Sequence, residues 1–87
     1  MSSYAVSLSA VASDWLEECR DEKLKRRMAR AIDGLEVQPR PPGCVKLTGE
    51  ADVWRVRVAD YRILYEVHDR QLRVLVIRIA NRREVYR

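Results

Sequence analysis

Two periodicities divide the chain. Residues 4–8, Tyr-Ala-Val-Ser-Leu, alternate apolar and polar side chains and predict a short strand. Ser9 is placed to cap a helix over 10–19, in which Val11, Trp15 and Cys19 are spaced by four. A second helix is expected over 22–36, with Leu24, Met28, Ala31, Ile32 and Leu35 on one stripe. Its outward face mixes Lys, Arg and acid, the usual pattern of a solvated helix. Pro39, Pro41, Pro42 and Gly43 stop that helix and open a linker towards Val45-Lys46-Leu47. From Trp54 the period falls to two. The runs 54–58 and 61–68 flank Ala59-Asp60, a connection of hairpin length. Residues 72–80 are almost wholly apolar, which predicts a central strand covered on both faces. Strand, helix, helix and three strands joined by short turns make an α+β fold, with two helices packed on one face of a small, mainly antiparallel sheet. At 87 residues the chain has interior enough for one domain, 1–87.

A two-residue loop sets the hairpin register. Val58 falls opposite Tyr61, Arg57 opposite Arg62, Val56 opposite Ile63, Arg55 opposite Leu64 and Trp54 opposite Tyr65. One face then collects Trp54, Val56, Val58, Tyr61, Ile63, Tyr65 and Val67, a core. The other collects Arg55, Arg57 and Arg62, with Leu64 beside them. Like charges directly opposite in a sheet are destabilising, by a few tenths of a kcal/mol or more. A sequence shaped by stability alone would set Glu or Thr across from Arg57, as Glu66 is expected to lie across from Arg73 in the next hairpin. A visiting phosphate relieves the repulsion; Asp52, Asp60 or Glu84 folded over the trio is the alternative.

Charge sharpens this reading. The net charge is +4, yet residues 1–50 balance eight basic against eight acidic side chains. Residues 51–87 hold nine basic side chains against five acidic ones, and all nine are arginine. The planar guanidinium suits bidentate phosphate contacts, so the second half is the better match to an anionic partner. An apolar content of 47% is that of a globular protein. No apolar run approaches the roughly 20 residues of a membrane span, and the first basic residue, Arg20, comes too late for a secretory signal. Cys19 and Cys44 are expected to be reduced thiols of a cytoplasmic protein, and with one histidine, His68, they form no metal motif.

Cleavage of a nucleic acid needs a group that activates the nucleophile and others that stabilise the phosphorane and the leaving group. One histidine rules out a two-histidine ribonuclease, and scattered carboxylates argue against a two-metal nuclease. Arginine and tyrosine remain. The ending Asn81-Arg82-Arg83-Glu84-Val85-Tyr86-Arg87 follows the last strand and could return past the arginine face. A phenol titrates near ~10 when free, and neighbouring cations favour its ionised form.

The segment from Trp54 to Glu66, WRVRVADYRILYE, resembles the W-R-x-R-x-G-D-Y-R-x-x-Y-E stretch of the RelE/ParE toxin superfamily. The ending Arg82-Arg83-Glu84-Val85-Tyr86 is similar to that superfamily's H-R-R-x-V-Y tail, and the link from Pro39 to Gly49 is similar to its connection between helices and sheet. The resemblance implies a RelE-like fold and the toxin of a type II toxin–antitoxin pair, silenced by a cognate antitoxin. RelE-like members enter the ribosomal A site and cut messenger RNA there without metal or other cofactor, leaving a 2′,3′-cyclic phosphate and a 5′-hydroxyl. Carried over by position, Tyr86 is the base on the 2′-hydroxyl and Arg82 serves the leaving oxygen. Arg57 and Arg62 bind the phosphate, Arg55 supports charge stabilisation and RNA contact, and Arg83 contacts RNA. The chain departs from the pattern at Asn81, where many relatives have His, and at Ala59 and Ala80, which replace common glycines. The alternatives are a ParE-like inhibitor that binds DNA gyrase through protein contacts, and an inactive relict that still binds antitoxin.

Overall fold

The computed structural model describes residues 3–47, 49 and 52–81. In chain order these form β1 (Ala5–Leu8), α1 (Ala10–Glu18), α2 (Glu22–Gly34), β2 (Val45–Lys46), β3 (Val53–Val58), β4 (Tyr61–His68), a 3-10 turn at Asp69–Gln71 and β5 (Arg73–Asn81). The five strands make one sheet in the order β1-β5-β4-β3-β2. β1 runs parallel to β5 and every other pairing is antiparallel. The expected α+β architecture is therefore present, with β2 added at one edge, a two-residue strand too short to show a period.

Both helices start where side-chain caps predict. The Ser9 hydroxyl accepts from the Ala12 amide at 3.1 Å and donates to the Ile77 carbonyl, while the Ser9 amide bonds the Val76 carbonyl at 2.9 Å. One residue thus caps α1 and pins its start to β5. That anchor sets the rotational phase of the helix. Ala12 becomes the fully buried residue, Trp15 and Leu16 pack beside it, and Val11 is 60% exposed. The expected Val11–Trp15–Cys19 stripe is displaced by one position at its first member, and Cys19 lies beyond the last turn as the C-cap. Asp21 caps α2 through its carboxylate and the Leu24 amide, 3.1 Å apart. The α2 stripe is as expected: Met28, Ile32 and Leu35 are buried, with Leu24 and Ala31 packed against the core. Regular helix ends at Gly34, short of residue 36, because the amides of Val37 and Gln38 both turn back to the Gly34 carbonyl.

The β3–β4 register matches expectation at every pair from Trp54–Tyr65 to Val58–Tyr61. The β4–β5 register does not. The connection 69–72 sets a register in which Arg73 faces His68 and Glu66 faces Leu75, and a bulge between Leu64 and Tyr65 shifts the pairing beyond it. Glu66 instead meets His68 on its own strand, Oε1 to Nε2 at 2.9 Å. The helices cover β5 on one face. Val74, Val76 and Ile79 are buried under the helices, whereas Arg73 and Arg78 are exposed. The bulge hides this alternation, which makes 72–80 read as a continuous apolar run.

The proline-rich link is held down by charge. Arg40 reaches Asp69 with both terminal nitrogens, at 3.1 and 2.7 Å, and lies 5.1 Å from the Trp54 ring centroid. The Tyr4 hydroxyl donates to the same carboxylate at 2.7 Å. These hydrogen bonds, Arg40's first, lower the Asp69 carboxyl to about 2. A carboxyl depressed below its unfolded value of ~3.9 stabilises the fold above that pH, and the contribution disappears as pH falls through about 2. Asp69→Asn is therefore expected to flatten the acid side of the stability profile between roughly pH 4 and 2. Urea unfolding at stepped pH measures this; an acid limb as steep as the parent's would refute the coupling.

Candidate functional site

The face of the sheet turned away from the helices is built mainly by β3, β4 and β5. Arg57 and Arg62 are directly opposed across the β3–β4 pair, Arg55 lies two residues along β3, and Leu64 faces Arg55. All three expected arginines therefore share one surface, and the helices cover the other. Their exposures differ sharply. Arg57 is exposed, Arg55 is half-buried, and Arg62 is only 8% exposed, placed in mid-sheet between Arg57 and the small Ala80. Arg57 donates from Nε to the Ala59 carbonyl at 3.1 Å. This bond ties the guanidinium to the hairpin turn, where Ala59 adopts φ 55, the left-handed conformation that a glycine takes at lower cost.

The structure adds a fourth guanidinium. Arg78 on β5 lies opposite Leu64, on the same face, and is exposed. Sequence reasoning missed it because the run 72–80 is almost wholly apolar; its two arginines, Arg73 and Arg78, were the available signal, and Arg73, opposite His68, lies towards the other end of this face. Arg55, Arg62 and Arg78 each have a further interaction partner. The expected residues Arg82, Arg83 and Tyr86 lie outside the described residues, as does Glu84.

The remaining polar groups are sorted by burial. Desolvation pushes the Tyr65 phenol well above the ordinary tyrosine range, and a hydrogen bond to Asp69 raises Tyr4. Both are held in the protonated form, which disqualifies them as bases. Tyr61 stands edge-on to Trp15, ring centroids 5.2 Å apart, on the helix side of the sheet. Among the described residues no group of three or more His, Cys, Asp or Glu side chains is arranged to hold a metal ion, and no helix is long and apolar enough to cross a membrane.

Two helices packed against a five-stranded, mostly antiparallel sheet is an architecture this chain shares with RelE-like structures. The chain superposes on RelE in the archaeal RelE–RelB complex from Pyrococcus horikoshii OT3 with a TM-score of 0.79 at 26% identity, covering 91% of this chain and 94% of that one. The intact E. coli RelBE toxin–antitoxin complex gives 0.75 at 20% identity, over 90% and 95%. A YoeB/ParE toxin from Agrobacterium tumefaciens gives 0.75 at 22%, over 88% and 96%. No curated protein sequence matches. The family model described as ParE toxin of type II toxin-antitoxin system, parDE, matches residues 6–86, and the chain belongs to that family within the RelE/ParE superfamily.

Proposed function

We propose that this toxin is a ribosome-dependent, metal-independent messenger RNA endonuclease. The observation that carries the reading is the opposed pair Arg57–Arg62 on the sheet face turned away from the helices, joined there by Arg55 and Arg78. A face built this way is suited to a scissile phosphate and to the extra negative charge of its transition state. Tyr86 takes the proton of the 2′-hydroxyl, the 2′-oxygen attacks phosphorus, and the bond to the 5′-oxygen breaks. Arg82 stabilises or protonates that leaving oxygen. Arg57 and Arg62 hold the phosphate oxygens, and Arg55 and Arg83 contact the flanking RNA. The products are a 2′,3′-cyclic phosphate and a 5′-hydroxyl, and no cofactor enters. The partners in this reading are the ribosomal A site with its messenger and a cognate antitoxin, the kind of protein seen bound to RelE in the Pyrococcus horikoshii RelE–RelB complex.

A second reading draws on the family match, whose description names parDE. There the chain inhibits DNA gyrase through protein contacts and has no need of arginine–tyrosine chemistry. Induction followed by primer extension on a translated message separates the two. Cuts confined to translated codons, reduced by about 10²-fold or more in Arg57→Ala, are the expected result. Intact message alongside broken chromosomal DNA would replace the nuclease with the gyrase reading.

A further inference from the structure

A second cationic surface lies along α2 and reaches the β3–β4 turn, where Arg57 of the sheet face is tied to Ala59. Between the first turns of α2 and the β3–β4 turn runs a groove of about 660 Å³, lined by Lys23, Arg26, Arg27 and Arg30, with the α2 cap Asp21 and Leu24, from one wall and by Ala59, Asp60 and Tyr61 from the other. The four cations occupy positions i, i+3, i+4 and i+7, a single stripe about 10 Å long at the helical rise of 1.5 Å per residue. The outward face of α2 is therefore not the even mixture expected from its composition.

Stability does not account for this stripe. All four side chains are exposed, and among the described residues none lies within 4.0 Å of a carboxylate. Lys23 stands in the first turn of α2, at the positive end of the helix dipole, while the last turn holds no cation at all. Neighbouring like charges at i+3 and i+4 also repel.

We propose that this groove is a second RNA-binding surface, which takes the sugar–phosphate backbone of a structured strand while the sheet face receives the strand to be cut. The proposal rests on an RNA target as in the preceding reading, but on different residues. Three of the four cations are guanidinium groups suited to bidentate phosphate contact, and Tyr61 at the groove end offers a ring for a ribose or base. An acidic peptide is the poorer fit. Peptide grooves depend on apolar anchor pockets, and here only Leu24, Ala59 and Tyr61 are apolar against a lining otherwise charged.

The test is fluorescence anisotropy of a labelled 20-base-pair RNA duplex titrated with the purified toxin at several KCl concentrations. Arg26→Ala/Arg27→Ala/Arg30→Ala is expected to weaken duplex binding about tenfold or more and to lower the slope of log K against log [salt] by about two to three, roughly one per lost phosphate contact. Thermal unfolding of the triple variant should match the parent, since the side chains are exposed. Unchanged affinity and slope would overturn the proposal, and so would loss of oligoglutamate binding with duplex binding retained. Tyr86→Phe in the same assay separates the two readings: duplex binding should persist whether or not that variant still cuts messenger.

Discussion

Tyr86→Phe is expected to lower cleavage of messenger on translating ribosomes by about 10²–10⁴-fold, the range that a positioned acid or base contributes. Arg82→Ala should cost about 10²–10³-fold, as removal of one preorganised cation or donor at a developing charge does. Both should relieve growth arrest on induction while antitoxin binding is retained. Of the chain's four tyrosines, Tyr65 is held protonated by burial and Tyr4 by Asp69, while Tyr61 is packed against Trp15 away from the arginine face. The role proposed for Tyr86 is the one that the resemblance to the toxin superfamily implies, and none of the other three tyrosines is placed to take it. Growth arrest as severe as the parent's in both variants would remove the nuclease reading.

Met28→Ala is the substitution expected to cost most in stability. Met28 is fully buried at the centre of the α2 stripe, against the apolar side of the sheet. Truncation to alanine loses the transfer free energy and leaves a cavity, about 2–5 kcal/mol together. At about 4–8 °C of melting temperature per kcal/mol for a domain of this size, that is a drop of about 10 °C or more. Val11→Ala is the control, because Val11 is 60% exposed despite its place in the sequence stripe; its melting temperature should stay within a few degrees of the parent. Equal losses at the two positions would contradict the phase of α1 set by Ser9.

The contrast between Val11 and Met28 shows what patterning conveys. The stripe of α2 is long enough that its period alone selects the buried face, whereas α1 spans nine residues and its phase depends on a tertiary bond from Ser9 to β5. The β3–β4 hairpin was legible pair by pair because a two-residue loop and strict alternation leave no freedom of register. The next pairing was not, since the connection 69–72 sets its start and one bulge at Leu64–Tyr65 reverses the count for every residue beyond it. The same bulge concealed Arg78, so the arginine face was read as three residues and has a fourth. The groove along α2 was invisible for another reason. Opposite charges balance over the first fifty residues as a sum, and only the folded helix separates the cations onto one line.

The parallel pairing of β1 with β5 has a consequence for the birth of the protein. Ala5 finds its partner Arg73 only after both helices and the β3–β4 hairpin have been made, and closing so long a loop is an entropic toll that comes before the reward. The sheet therefore closes late, after α1, α2 and the β3–β4 hairpin have been made. A product cut short before β5 leaves β1 without its partner in the sheet.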